Sequence, residues 1–172
     1  MRILLAPDSF KEAASAEVIA QAMARGIMRG DPQAECRLLP LSDGGEGLTH
    51  ALVHATGGTL HDVETVDAVG RPITAQYGFL GNNHASCTLR TAVVELASAS
   101  GLERVSPADR NALTASTFGT GLLIRAAIDA GADRIVLGLG GSATTDGGTG
   151  LARALGFRFL DSTDHAIPLG GG

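Results

Sequence analysis

The chain has 172 residues, with 13 Lys plus Arg against 18 Asp plus Glu, a formal net charge of −5, and 44% hydrophobic but only 18% charged residues. That length can bury a core in one domain, or in one and part of a second, and the acidic balance lacks the diffuse positive field that binding a nucleic-acid backbone needs. No apolar run approaches the roughly 18 residues of a membrane span, and six aromatics without a Trp are too few for a base-stacking platform.

Arg2 to Ala6 is a short apolar run ending at Pro7, and is expected to be a first buried strand rather than the core of a signal peptide. Ser15 is a candidate N-cap for a helix in which Ile19, Ala22, Met23 and Ile27 share one face, with Gly30-Asp31-Pro32 as its stop. Arg37 to Leu41 reads as a second strand, Ser42 to Gly47 as a Gly-rich loop, and Leu48 to Thr56 as a helix closed by Gly57-Gly58. This β-loop-α grammar is that of a parallel sheet.

Between Thr59 and Glu95 the texture changes. Val63 to Val66, Ile73 to Leu80 and Cys87 to Leu96 read as strands separated by Gly-containing loops, which favours antiparallel hairpins. The α/β rhythm returns with a helix over Leu122–Ala130, a strand over Arg134–Leu139, a Gly-rich loop over 140–150, a short helix over Leu151–Leu155 and a strand over Phe157–Leu160. The fold class is therefore α/β, mostly parallel, with an antiparallel β-rich segment, and the expected divisions are 1–58, 59–100 and 101–172. The ending Leu169-Gly170-Gly171-Gly172 is expected to be a truncation. Cys36 and Cys87 form no metal-ligand pattern and read as buried apolar thiols in a cytoplasmic protein.

Loops that follow parallel strands line one sheet edge, where ligands bind, and three such loops carry chemistry. The first, Ala6-Pro7-Asp8-Ser9-Phe10-Lys11, contains the only lysine. Lys11 can neutralise a phosphate and Asp8 can accept a proton or hold a metal, the alternative being a solvated, capped turn. In the second, Asp43-Gly44-Gly45-Glu46-Gly47, two carboxylates flank a Gly pair. They can hold Mg²⁺, or Asp43 can be a helix N-cap with Glu46 in the first turn, and the helix end can itself bind phosphate. The third, Gly138 to Gly150, combines Gly140, Gly141, Ser142, Thr144, Asp146, Gly147 and Gly148 into a candidate anion nest.

Two templates fail on this third loop. It has no Gly-Lys-Ser/Thr, so it is not a Walker A loop. Gly138-x-Gly140-x-x-Ala143 with Asp161 imitates a dinucleotide fingerprint, but Gly147, Gly148 and Gly150 would fall in its first helical turns at about 1 kcal/mol each relative to Ala. Glu95 is a strand-end candidate whose alternative is plain exposure, and Arg110-Asn111 can clamp a carboxylate or form a cap. His50 and His54, at i and i+4, read as surface positions rather than as a metal pair.

Ala-Pro-Asp-Ser-Phe-Lys (6–11), Asp-Gly-Gly-Glu-Gly (43–47), Ala-Ser-Gly-Leu (99–102), Arg-Asn (110–111), Phe-Gly-Thr-Gly (118–121) and Gly-Gly-Ser-Ala-Thr-x-Asp-Gly-Gly (140–148) together resemble the bacterial glycerate kinase family along the entire chain. The resemblance implies a two-domain α/β enzyme that phosphorylates D-glycerate from ATP with Mg²⁺, typically giving 2-phosphoglycerate, and of which this chain is the N-terminal half. The pattern departs at Thr145, Leu48 and Leu122, where family members usually carry Asn, Thr and Glu.

On that basis Asp8, Lys11, Asp43 and Asp146 are the candidate catalytic residues and Asp43 and Glu46 the metal ligands. Gly44, Gly45, Gly140, Gly141, Ser142, Thr144, Gly147 and Gly148 would bind ATP, and Ser9, Arg110 and Asn111 the glycerate. The competing expectation is a non-catalytic glycerate- or nucleotide-binding half. Expected partners are the small-molecule substrate and either a second copy or the missing C-terminal half, with no nucleic acid and no membrane.

Overall fold

A computed structural model describes residues 1–10, 13–81 and 89–172. Lys11, Cys87 and the loop residues Asn82 and Asn83 lie outside the described residues. The elements are β1 (Arg2–Leu5), α1 (Ala16–Gly30), β2 (Glu35–Leu38), α2 (Leu48–Thr56), β3 (Thr59–Val66), β4 (Pro72–Phe79), β5 (Thr91–Glu95), α3 (Leu96–Ser100), α4 (Phe118–Asp129), β6 (Arg134–Gly138) and α5 (Thr149–Ala154). Single 3-10 turns occur at Leu102–Arg104 and Pro107–Asp109.

Two sheets form. β1 and β2 pair in parallel, and a second sheet has the order β3-β4-β5-β6, antiparallel at its first two pairings and parallel between β5 and β6. The expected mixture of parallel and antiparallel pairing is present. β5 and β6 share a sheet, so the segments expected at 59–100 and 101–172 are joined by strand pairing.

The core lies on both faces of the second sheet. Leu123, Ile124 and Ala127 of α4 pack with Ala75, Tyr77, Phe79, Ala92 and Val94, all buried. Because side chains alternate along a strand, the fully buried Val93 points to the opposite face, which α2 covers. Gly78 makes that close approach possible, since a Cβ there would sit 2.2 Å from Val53 Cγ2 of α2. The β1–β2 layer is thinner. Leu5 is buried beside α1, but Leu4 is 61% exposed and Leu38 42%.

Several boundaries differ from the sequence reading. β2 starts two residues early, at Glu35 opposite Arg2, although the hydrogen-bonded ribbon continues through Leu39 N on Leu5 O and Leu41 N on Pro7 O. Cys36, expected buried, is half-buried in β2. β5 ends at Glu95, because Leu96 opens α3, a helix the Ala-Ser alternation did not announce. α4 begins four residues before Leu122. The strand expected at Phe157–Leu160 does not form: among the described residues that segment finds only the isolated bridge between Leu160 and Ala166. No helix among the described residues is long and apolar enough to cross a membrane.

Candidate functional site

Backbone pairing first brings the loops after β1 and β2 together. Leu41 N donates to Pro7 O at 2.9 Å, so Asp8 and Ser9 lie beside Ser42 and Asp43. Asp8 is exposed and its Oδ1 accepts from Ser9 N at 2.7 Å. In the next loop, Gly44 N donates to Ser42 Oγ at 3.3 Å and Gly45 N to Asp43 Oδ1 at 3.0 Å. Asp43 therefore shapes its own turn and does not cap α2. The N-cap is Gly47, at φ 89°, a left-handed conformation that glycine adopts without strain and that offers no capping side chain.

The first amides of α2 are taken by Glu95 from the end of β5. Gly47 N donates to Glu95 Oε1 at 3.1 Å and Thr49 N to Oε2 at 3.2 Å, and Glu95 is 5% exposed. Two expectations change here: Glu95 is not an exposed strand end, and the α2 terminus already holds an anion where a substrate phosphate was considered. Burial pushes the Glu95 carboxyl above the ordinary Glu range, against the opposing pull of the Thr49 and Gly47 amides and of His50.

The loop after β6 closes onto the second loop. Gly140 N donates to Gly44 O at 3.0 Å, and a Cβ on Gly140 would fall 2.6 Å from Gly45 N and Cα, so only glycine allows this contact. Gly141 O accepts from Leu102 N at 2.8 Å, Ser100 O accepts from Ala143 N at 2.9 Å, and Thr145 Oγ1 donates to Ala112 O at 3.0 Å. Thr145 thus uses its hydroxyl to hold the loop. Ser142 Oγ accepts from Thr144 N at 3.0 Å and lies 2.9 Å from Thr144 Oγ1, placing two hydroxyls together beside the glycines.

Asp146 is buried and faces the protein. Its Oδ2 accepts from Thr117 N at 2.8 Å, Thr117 Oγ1 at 2.9 Å, Gly150 N at 3.1 Å and Ser116 Oγ at 3.3 Å, while Oδ1 accepts from Gly148 N at 3.0 Å. A carboxylate engaged on both oxygens ties the Gly-rich loop to the start of α4. Its expected place among the catalytic groups does not follow from this geometry, and the Gly148 amide expected on ATP is engaged by it. The exposed Gly147, at φ 60°, makes the turn beside it. α5 opens only at Thr149, six residues beyond Ala143, so the helix that a dinucleotide fingerprint requires is not in place.

Arg110 donates from Nε to Val105 O at 3.1 Å and from Nη2 to Leu102 O at 3.3 Å, closing the segment that carries the Gly141 contact. Asn111 Oδ1 accepts from Leu113 N at 3.0 Å in a turn one residue from Ala112. Both are exposed beside the Gly-rich loop. His50 Nε2 pairs with Gln76 Oε1 at 3.1 Å, as a surface residue does. Asp43 and Glu46 are both exposed, and among the described residues no three His, Cys, Asp or Glu side chains form a metal cage. Two exposed carboxylates nonetheless fit Mg²⁺, which takes one or two carboxylates and completes its shell with water and phosphate.

The three loops are legible in the sequence, but their fasteners are not. Glu95 to Gly47 and Thr117 to Asp146 are contacts between residues distant in the chain, and no local pattern announces them. The available signal was position alone, Glu95 standing at the end of a strand at the ligand edge.

A sequence model of the glycerate kinase family matches residues 3–172. The chain is 48% identical to the glycerate kinase of Bacillus subtilis strain 168 over 172 residues, which are 100% of this chain and 44% of the relative. It is 40% identical to the glycerate 2-kinase of Escherichia coli K12, again over 100% of this chain and 44% of the relative. A crystal structure of a Salmonella typhimurium LT2 protein assigned to glycerate kinase 2 superposes with a TM-score of 0.78 at 46% identity, covering 99% of this chain and 44% of that one. The chain belongs to the glycerate kinase family, and spans a little under half the length of these relatives.

Proposed function

We propose that this chain supplies the substrate-facing loops of a kinase that transfers the γ-phosphoryl group of ATP to D-glycerate, with 2-phosphoglycerate as the favoured product. The supporting observation is the convergence of three loops through two backbone bonds, Leu41 N on Pro7 O and Gly140 N on Gly44 O. In the reaction a glycerate hydroxyl oxygen bonds to the γ-phosphorus while the bond to the β–γ bridging oxygen breaks, releasing ADP. The hydroxyl proton passes to the Asp8 carboxylate. Such a transfer needs positioning and charge neutralisation more than covalent chemistry.

Lys11 neutralises phosphate charge, and the amides of Gly141 and Ser142 with the hydroxyls of Ser142 and Thr144 cradle the transferred group, on a loop that Gly140 holds against Gly44 and Gly45, with Gly147 beside it. Asp43 and Glu46 would hold Mg²⁺, which supplies further neutralisation of phosphate charge when bound. Arg110 reads the glycerate carboxylate, with Ser9 and Asn111 orienting its hydroxyls. Asp146 keeps the Gly-rich loop in shape.

The test is an assay of ADP release with D-glycerate, ATP and Mg²⁺, the product being identified by ³¹P NMR. Lys11→Ala lowers kcat by about 100-fold or more, the scale of one lost electrostatic donor. Near-normal turnover would overturn that assignment. A second reading is a glycerate- or nucleotide-binding segment that turns over only with further polypeptide, favoured by the apolar exposure of Leu4 and Leu38 on the β1–β2 layer. Binding by the chain, with turnover only after adding the remaining segment of a full-length relative, would select it.

A further inference from the structure

Glu95 is a buried carboxylate at the ligand-facing end of β5 that the proposed reaction leaves without a task. Its two oxygens each accept one amide from the start of α2, Gly47 N at 3.1 Å and Thr49 N at 3.2 Å. An ionised carboxylate is acceptor-only and can serve two N–H groups at once, whereas a carboxamide has one oxygen and turns its NH₂ toward the other donor. Among the described residues no other side chain caps this helix end: Gly47 has none, Leu48 N donates to Gly45 O at 3.3 Å, and Thr49 Oγ1 is buried without a hydrogen-bond partner. The Asp43–Gly47 loop is thus held at two places, by Glu95 at its helix end and by Gly140 N on Gly44 O at its middle.

We propose that Glu95 is a positioning residue of the phosphotransfer site. Its carboxylate clamps the loop so that Asp43 and Glu46 meet the substrate. By occupying the amides of α2 it also directs the nucleotide phosphates to the Gly140–Thr144 loop instead. The proposal rests on the kinase reading of these loops.

The test compares wild type, Glu95→Gln and Glu95→Asp in the full 172-residue chain at a temperature where each is folded. Two quantities are read: the dissociation constant of MgATP by calorimetric titration, and hydrogen exchange of the Gly47 and Thr49 amides by NMR. In Glu95→Gln, loss of one charge-assisted bond speeds exchange of at least one of the two amides about tenfold and raises the MgATP dissociation constant at least about tenfold. A folded Glu95→Gln chain that binds MgATP as wild type does would overturn the positioning role, even if exchange accelerates. Should Glu95→Gln show no cooperative thermal transition, Glu95→Asp decides, because it keeps the charge but reaches less far. It is expected to bind MgATP more weakly than wild type, and unchanged affinity would contradict the proposal. A wild-type chain that binds no MgATP would instead contradict the kinase reading on which the proposal stands.

Discussion

At the scale of single residues, buried carboxylates rather than exposed ones hold the site in place. Glu95 and Asp146 each collect a backbone amide from a segment distant in sequence, and Asp67 collects local ones in the turn between β3 and β4. Asp67 is 3% exposed; its Oδ1 accepts from the Val69 and Arg71 amides at 2.9 Å each, and its Oδ2 from Arg71 Nε at 2.7 Å. Burial pushes this carboxyl upward, but the Arg71 amide and guanidinium and the Val69 amide outweigh it and hold the group below its ordinary value of 3.8. A depressed folded-state value means the stabilisation is complete above pH 3.8 and is lost as pH falls through the lower folded value. Asp67→Asn should therefore destabilise the chain by about 1.5–3 kcal/mol at neutral pH, and the gap to wild type should close under strong acid. Urea titrations at several pH values check this; a gap that widens on acidification would contradict the assigned direction.

At the scale of elements, legibility followed how local the controlling interactions were. α2 was read to the residue, because Gly47 and Gly57 bound it on both sides. α1 was read from Ser15, whose Oγ accepts from Val18 N at 3.4 Å. α4 began earlier than expected because Gly119 and Gly121, poor helix formers, are required by contacts that only the fold reveals: a Cβ on Gly119 would lie 1.9 Å from Val66 O. The Phe157–Leu160 run has strand-like composition but, among the described residues, no neighbouring strand to pair with. Of the site, the loops were legible because glycine, acid and hydroxyl residues cluster there. Glu95's role was not, because it depends on strand β5 ending beneath α2.

The α2–β4 contact gives an element-scale prediction. Gly78→Ala drives a methyl group into Val53 and should cost about 1–3 kcal/mol. Val53→Ala in the same chain should recover part of that loss, giving a coupling that a double-mutant cycle in urea reads. Independent, additive costs would show that α2 does not sit against β4 at this point.

At the scale of the molecule, two sheets meet through their loops. The parallel pair β1–β2 and the parallel pair β5–β6 both end at the Asp43–Gly47 segment, which contacts Pro7 through the β2 ribbon and Gly140 directly. A shallow cavity of about 240 Å³ lies elsewhere, along β1 and β2, lined by Arg2, Ile3, Leu4, Glu35 and Arg37. Its lining holds none of the glycine-rich loops or hydroxyl pairs that the proposed phosphate site uses.

Titration of MgATP into the ¹⁵N-labelled chain, followed by amide chemical shifts, separates these two surfaces most directly. Saturable shifts at Gly44, Gly45, Gly140, Gly141, Ser142 and Thr144 are the predicted result, with D-glycerate adding shifts at Ser9, Arg110 and Asn111. Shifts confined to Arg2–Leu4 and Glu35–Arg37, or none at saturating nucleotide, would contradict the converging loops as the site of phosphate binding.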